Sequence, residues 1–263
     1  MKTIGIYHLI DREILDLVAE LHSQGVSREQ IREEALLLHT RMGIGAKTSV
    51  KRSRPVFKAW LSNTTKVSEY ATELYPSCER QEQLALHIAM LCRAYPFFID
   101  VMSLIGSQLR LCSHVNQGTI LNRTLRSYGQ GENVRQGVRK VLQSLISWGL
   151  LNKTATSGLY SPGKQFSLNF QLSEIMLSGY IEGSKAAAIS LAEINKIPAL
   201  FPWNISDISY GELKLLNIFL EGIGDEFISI KYSNYSALPT KSLRIQTAIK
   251  VSPGMNGCPS KTP

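Results

Sequence analysis

The sequence predicts a mainly α-helical protein with a small β-hairpin, and two observations carry this prediction. Apolar residues recur at helical spacing from about residue 11 to residue 148. Short alternating runs typical of strands follow, at 150–170 and at 227–232. The chain has 263 residues, of which 44% are hydrophobic and 19% charged, so it can form one large domain or two small ones with a real core.

Residues 1–112 predict an N-terminal helical domain. Ser27 and Gln30 have the spacing of a capping box, which predicts that a helix begins there. Tyr95-Pro96 predicts a break between two later helices, because the residue before a proline is pushed out of the helical region. The helices predicted in this domain are 11–24, 27–42, 55–75, 79–94 and 96–111.

Positive charge is concentrated in two stretches. Residues 41–58 contain six basic and no acidic residues, and residues 101–170 contain eight basic residues and one acidic residue. The net charge of the whole chain is +8, so these two stretches together exceed the total excess. Concentrated positive charge attracts a polyphosphate backbone, through release of its condensed counterions. The charge distribution therefore favours a nucleic-acid partner.

Residues 113–170 contain two predicted helices joined by a glycine-rich turn. The helices are predicted at 117–127 and 132–148, and residues 128–131 (Tyr-Gly-Gln-Gly) form the turn. Valine and leucine residues form the apolar stripe of the second helix. The polar side chains that fall off the two apolar stripes are Arg123, Arg126, Arg135, Gln136, Arg139, Lys140 and Gln143.

A β-hairpin is predicted after the second helix. Its arms are 150–156 and 164–170, around a loop at 157–163, because Phe166 and Leu168 belong to an alternating run. The β-hairpin completes a recognisable order of elements: helix, glycine turn, basic helix and hairpin.

This is the order of a winged helix-turn-helix. A helix fits the major groove of DNA, and its outward arginine and glutamine side chains can reach base edges or phosphates. The hairpin would place Lys153 or Lys164 against the flanking backbone. The alternative is a structural winged helix that mediates protein contacts.

Residues 43–54 are predicted as a loop or a helix start. A Walker A loop needs its lysine directly after a glycine, whereas Ala46 separates Gly45 from the lysine that follows. Contact with a phosphate backbone is therefore favoured over nucleotide binding, and a solvated basic loop is the alternative. The candidate contact residues are Lys47, Lys51, Arg52 and Arg54.

Residues 171–249 predict a C-terminal helical region with a short strand. Residues 250–263 are rich in proline, glycine and serine and predict a disordered tail. The elements predicted in the C-terminal region are helices at 173–181, 184–195 and 210–220 and a strand at 227–232.

The sequence lacks the common signatures of catalysis and of metal binding. It contains no G-x-S-x-G, H-E-x-x-H or C-x-x-C motif. Neither His87 with Cys92 nor Cys112 with His114 has the spacing that puts two side chains on one helical face. We therefore expect a protein that is not an enzyme and that uses no metal or cofactor.

The most apolar stretch, 84–106, does not predict a membrane span. It contains Arg93, Pro96 and Asp100, and charges near a bilayer centre are costly. The first residues lack the apolar run of a secretory signal. We therefore expect a cytoplasmic protein without a membrane partner.

Over roughly residues 11–230 the chain resembles BrxA, the small accessory protein of bacterial BREX phage-defence systems. The resemblance lies in patterns of apolar spacing. The segments that carry it are Glu13–Leu21, Gly25–Ile31, Arg93–Val101, Val138–Leu151 and Phe227–Ile230. It implies a NusB-like helical bundle, association with DNA and no catalysis.

The leading hypothesis is a non-enzymatic accessory protein of a BREX-like defence system that binds double-stranded DNA. Other proteins of such a system are further candidate partners. Two alternatives remain open at this point. One is a protein-interaction scaffold without DNA affinity, and the other is a winged-helix transcription regulator.

Overall fold

The computed structural model describes residues 3–184, 188–190, 194, 196–205, 219–222 and 227–231. Within these residues the chain forms nine α-helices and eight short β-strands, so the mainly helical fold is confirmed. The described residues all belong to one compact unit, and residues 232–263, which include the predicted tail, lie outside the described residues. The domain boundaries predicted at 112 and 170 fall inside this unit and stay predictions.

Six helices form the first part of the bundle. The second begins at its predicted cap, where the Ser27 side chain accepts a hydrogen bond from the Gln30 amide. The fifth is the central helix, because every residue from Leu84 to Arg93 is buried. The six are α1 (Arg12–Ser23), α2 (Arg28–Arg41), α3 (Ala46–Leu61), α4 (Lys66–Leu74), α5 (Arg80–Ala94) and α6 (Pro96–Leu111).

Two more helices and a three-stranded antiparallel sheet follow. Strand β1 (Val115–Asn116) leads into α7 (Gln117–Tyr128), and a turn leads from there into α8 (Glu132–Ser147). Strands β2 (Leu151–Lys153) and β3 (Leu159–Pro162) come next. The order in the sheet is β1-β3-β2, so the last strand lies between the other two.

The next helix, α9 (Phe170–Ser184), returns to the bundle and packs against α5. A Cβ added at Gly179 would lie 2.5 Å from the carbonyl oxygen of Ala89, and one at Gly183 would overlap the carbonyl oxygen of Cys92. Two glycines one turn apart therefore set the close approach of these helices. Residues predicted to belong to a C-terminal region thus complete the core of the N-terminal helices.

Five short strands make up two further sheets. Strand β4 (Phe166–Ser167) pairs in parallel with β6 (Trp203–Asn204). Strands β5 (Ala188–Ser190), β7 (Phe219–Gly222) and β8 (Phe227–Lys231) form an antiparallel sheet in the order β5-β8-β7. The strand predicted at 227–232 is thereby confirmed over 227–231.

The predicted helix at 55–75 is wrong in its bounds. α3 begins at Ala46 and passes through Pro55, and α4 begins only at Lys66. The chain leaves the helix at Ser62, which is extended, and the buried Arg93 guanidinium donates to the carbonyls of Ala59 and Asn63 on either side of this break, both at 2.8 Å. That contact is made across the bundle, so local spacing does not reveal it.

The predicted second arm of the hairpin is also wrong. Residues 159–162, and not 164–170, pair with β2, which leaves a loop of residues 154–158. Phe166 instead lies in β4, opposite Trp203, and Phe170 is the first residue of α9. The alternating run is real, but its pairing partner is distant in sequence.

Two predicted C-terminal helices are wrong where the structure describes them. Residues 188–190 of the predicted helix 184–195 are strand β5, which pairs with 227–229. Residues 219–220 of the predicted helix 210–220 belong to β7, and the rest of that prediction lies outside the described residues. In both cases pairing with β8 overrides the local helical pattern.

Candidate nucleic-acid interface

The outward face of α8 is partly exposed: Arg139 and Gln143 are exposed, and the other polar residues on it are half-buried. Its apolar residues, from Val134 to Leu145, are buried, as the spacing predicts. The Arg139 side chain is 51% exposed and that of Arg135 is 36% exposed. The polar residues that share this outward side, called here the reading face, are Arg135, Gln136, Arg139, Lys140 and Gln143.

One carboxylate lies on the same face. Glu132 lies 3.9 Å from the Arg135 guanidinium and 3.6 Å from that of Arg139. Its side chain is 72% exposed, so both ion pairs are open to solvent and contribute little to stability. Lys140 donates a hydrogen bond to the Gln143 side chain at 2.9 Å, which orients two members of the reading face.

The other predicted contact residues of this region are exposed on neighbouring elements. Arg123 and Arg126 lie on the surface of α7. Lys153 is exposed at the end of β2, opposite Tyr160, and Lys164 is exposed just beyond β3. Both lysines therefore flank the sheet, although Lys164 does not lie on a hairpin arm.

α3 carries a straight row of cations. Residues spaced by four, three and four positions lie on one face of a helix. The exposed residues with this spacing, called here the basic stripe, are Lys47, Lys51, Arg54 and Lys58. The stripe extends over about 16 Å, at 1.5 Å per residue. Sequence reasoning missed Lys58 as a contact residue, because the predicted loop ended at residue 54 and only the continuous helix from Ala46 aligns Lys58 with Arg54.

Arg52 lies off the stripe and has a different partner. Its guanidinium lies 3.4 Å from the Asp11 carboxylate, which also lies 3.3 Å from Nε2 of His39. Nδ1 of His39 is hydrogen-bonded to the hydroxyl of Ser49 at 2.8 Å. The two residues His39 and Ser49 are 0% exposed, so this serine–histidine–aspartate arrangement ties α2 and α3 to the N-terminal segment inside the core.

The N-terminal segment, residues 3–11, contacts both α3 and α8. Its Ile10 amide donates to the hydroxyl of Ser144 on α8 at 3.0 Å. A Cβ added at Gly137 of α8 would lie 2.9 Å from the Ile4 side chain and 3.0 Å from the Ile6 carbonyl oxygen. α8 is thus packed directly on this segment.

The pKa of His8 is sensitive to the positive charges around it. Burial lowers the pKa of His8, and the positive charges of Lys51, Arg52 and Lys140 lower it further. Lys51 and Arg52 belong to α3, whereas Lys140 belongs to α8. Cations from both basic stretches, among them residues 52 and 140, which are 88 positions apart in the sequence, therefore lower the pKa of one histidine in the folded protein.

A cleft of about 550 Å³ opens beside the basic stripe. Across Lys58 and Tyr95 it borders a second cleft, of about 810 Å³. The Lys58 ammonium lies 4.5 Å from the centre of the Tyr95 ring, a cation–π contact that holds it at this border. The first cleft is lined by Gly5, Tyr7, His8, Lys51, Arg54, Pro55, Lys58 and Tyr95.

Within the part of the chain that the structure describes, three or more histidine, cysteine, aspartate or glutamate side chains do not come together as a metal site would require. No single helix in this part is long and apolar enough to cross a membrane. α5 and α6 reach that composition only as a pair, which is bent by 120°.

Comparison with protein-family models, with curated proteins and with solved structures found no match to this chain. The resemblance to BrxA therefore stays a prediction.

Proposed function

We propose that this protein binds double-stranded DNA without catalysis, with α8 as the helix that enters the major groove. The observation that carries the proposal is the reading face: a cationic, partly exposed helix face whose opposite side is buried in the core. A helix of this length spans about 24 Å, and its width suits the major groove.

The order of elements supports the same proposal. The elements follow one another in the order α6, β1, α7, α8, β2 and β3. In the sheet, β3 lies between β1 and β2. This is the arrangement expected of a winged helix, with α8 as the recognition helix and residues 154–158 as the wing. Lys153 at the base of the wing and Arg123 and Arg126 on α7 are then candidate backbone contacts.

The basic stripe supplies a second candidate surface for the phosphate backbone. Its four cations lie on one helix face, and residues 3–11 contact both α3, through Asp11 and Arg52, and α8, through Ile10 and Ser144. A duplex held by α8 would thus meet further positive charge on α3. Such additional phosphate contacts raise affinity without adding sequence specificity.

Fluorescence anisotropy with a duplex of about 20 base pairs tests the proposal. The variant with Arg135, Arg139 and Lys140 all changed to Ala is expected to bind at least about tenfold more weakly than the wild type. Its affinity should also depend less steeply on salt concentration, because fewer counterions are released.

The control removes the same charge elsewhere. Arg28, Lys66 and Arg80 are exposed on three other helices, and their joint change to Ala is expected to alter affinity by only about twofold. Equal losses in both triple variants would contradict a reading face on α8. Absence of duplex binding by the wild type near physiological salt would favour the scaffold, and protection of one promoter sequence would favour the regulator.

A role in a BREX-like defence system rests on the sequence resemblance alone. If the resemblance holds, the protein should co-purify with the products of neighbouring defence genes. Purification of the tagged protein from its native host, with and without nuclease treatment, separates protein partners from proteins that are bridged by DNA.

A further inference from the structure

We propose that the cleft beside the basic stripe binds a phosphomonoester, the doubly charged phosphate found at the end of a nucleic-acid strand or on a free nucleotide. This cleft is a different surface from the reading face. The proposal rests on the proposed function only if the phosphate belongs to a nucleic-acid strand, and not if it belongs to a free nucleotide.

The cleft concentrates positive charge in a concave site. Lys51, Arg54 and Lys58 lie on successive turns of α3 and all line it, and His8 lines it from the N-terminal segment. Among its lining residues, all of which the structure describes, there is no carboxylate. The nearest described carboxylate in the sequence, Asp11, is instead held by Arg52 and His39.

This charge suits a monoester better than a diester. A phosphomonoester carries a charge of about −1.5 to −2 at neutral pH and three acceptor oxygens. A backbone phosphodiester carries a single negative charge and two such oxygens. Three cations that line one cleft match the former, whereas single cations on the open surface, such as Lys47 on the same stripe outside the cleft, suffice for backbone phosphates.

The walls leave room for the remainder of a nucleotide. Pro55, Tyr7 and Tyr95 add apolar and aromatic surface to the cleft. A volume of about 550 Å³ lies within the usual range for small-ligand sites. The adjoining larger cleft, which begins across Lys58 and Tyr95, can take a sugar and a base that extend away from the phosphate.

Two residues fix the shape of this site. Gly5 has a φ of +72°, and a Cβ there would lie 2.6 Å from the Tyr95 ring, so the segment can approach the ring only through glycine. Tyr95 is almost fully buried, and its ring in turn holds the Lys58 ammonium. The Lys58 ammonium group, at the border of the two clefts, is thus held in position before a ligand binds.

The test compares short single-stranded oligonucleotides of one sequence that carry a 5′-phosphate, a 3′-phosphate or hydroxyls at both ends. Wild-type protein is expected to bind one of the phosphorylated strands about tenfold more tightly than the hydroxyl strand. The variant Arg54→Gln/Lys58→Gln should lose this preference. Equal affinity of the wild type for all three strands would overturn the proposal.

Lys47→Gln is the matched control. It removes one charge from the same stripe but does not line the cleft, so it should weaken binding of all three strands equally and retain the preference. Retention of the preference by Arg54→Gln/Lys58→Gln would also overturn the proposal, because the phosphate would then bind elsewhere.

Competition identifies the source of the phosphate. A nucleoside monophosphate that displaces the phosphorylated strand, while the nucleoside does not, indicates a free nucleotide as ligand. Displacement by a phosphorylated strand alone indicates a strand end. The reading-face triple variant should keep the preference for strands with a terminal phosphate. Loss of duplex binding and loss of phosphate binding in the cleft can therefore be told apart.

Discussion

Arg52 and Arg54 are two positions apart on α3 and have opposite environments. A helix turns by about 100° per residue, so positions two apart point to different sides. Arg52 is half-buried beside the Asp11 carboxylate, whereas Arg54 is exposed and lines the cleft. A substitution of Arg52 therefore tests stability, and a substitution of Arg54 tests binding. The sequence, which placed both in one basic stretch, treated them alike.

Glu132 is an acidic residue beside the reading face, and we expect it to oppose the proposed binding of DNA. Glu132→Gln removes a negative charge next to the proposed contact and releases Arg135 and Arg139 from their exposed ion pairs. Duplex affinity, measured by anisotropy at low salt, should rise by about two- to fivefold. Glu29→Gln, an exposed change on α2, should leave affinity unchanged; a fall in affinity on Glu132→Gln would show that the carboxylate itself contacts DNA.

At the scale of elements, α5 and α9 depend on two glycines for their contact. Alanine is normally more favourable than glycine inside a helix, by about 1 kcal/mol. Here the Ala89 carbonyl leaves no room for a methyl group at Gly179. The close approach of the two backbones therefore reverses the usual preference.

We expect Gly179→Ala to lower the free energy of unfolding by about 1–3 kcal/mol, because the helix backbones must move apart to make room for the added methyl group. The measurement is urea denaturation followed by circular dichroism. Gly118→Ala, at an exposed position in α7 where a Cβ would meet only the Asn116 side chain, at 3.2 Å, is the control and should change stability much less. A stabilising effect of Gly179→Ala would mean that α9 lies farther from α5.

At the scale of the whole molecule, buried histidines make stability depend on pH. His87 is fully buried between Trp60 and Asp16: its Nδ1 accepts from the Trp60 indole at 3.1 Å, so Nε2 carries the proton and donates to Asp16 at 2.9 Å. A protonated ring could not accept from Trp60. Burial lowers the pKa of His87 and of His39, although Asp16 and Asp11 respectively oppose the shift.

The direction of the pH effect follows from these lowered pKa values. A histidine in the unfolded chain has a pKa of about 6.5, so below that pH the unfolded chain binds protons that the folded protein does not. The free energy of unfolding is therefore highest above that pH and decreases as the pH falls. Each such histidine contributes up to about 1.4 kcal/mol per pH unit. Asp16, whose pKa is also lowered, adds a further loss only near pH 4 and below.

Urea denaturation at pH 7.5 and pH 5.5 measures this effect, and the protein should be less stable at the lower pH. His87→Gln keeps an acceptor and a donor and should make the difference smaller. His114→Gln, at an exposed position, should leave it unchanged. Equal stability of the wild type at both pH values would contradict neutral buried histidines.

Much of the helical structure could be predicted because it depends on local order. The bounds of α1, α2, α5, α6, α7 and α8 follow the apolar spacing, the Ser27 cap and the Tyr95-Pro96 break closely. The outward position of the reading face follows from the same spacing, since residues opposite a buried stripe must face away from it. These features depend on neighbours no more than about one turn away.

The sequence by itself determined a mainly helical protein, two concentrated basic stretches and a helix with one cationic face. Tertiary structure alone decided the pairing of β4 with β6 and of β5 with β8, because strand partners are chosen by long-range contacts. It also decided that Arg52 is held by Asp11, and that Lys58 joins the basic stripe beside a cleft. The physical reason is the N-terminal segment, which packs on α8 and lies beside α3, so that charges distant along the chain surround the same residues.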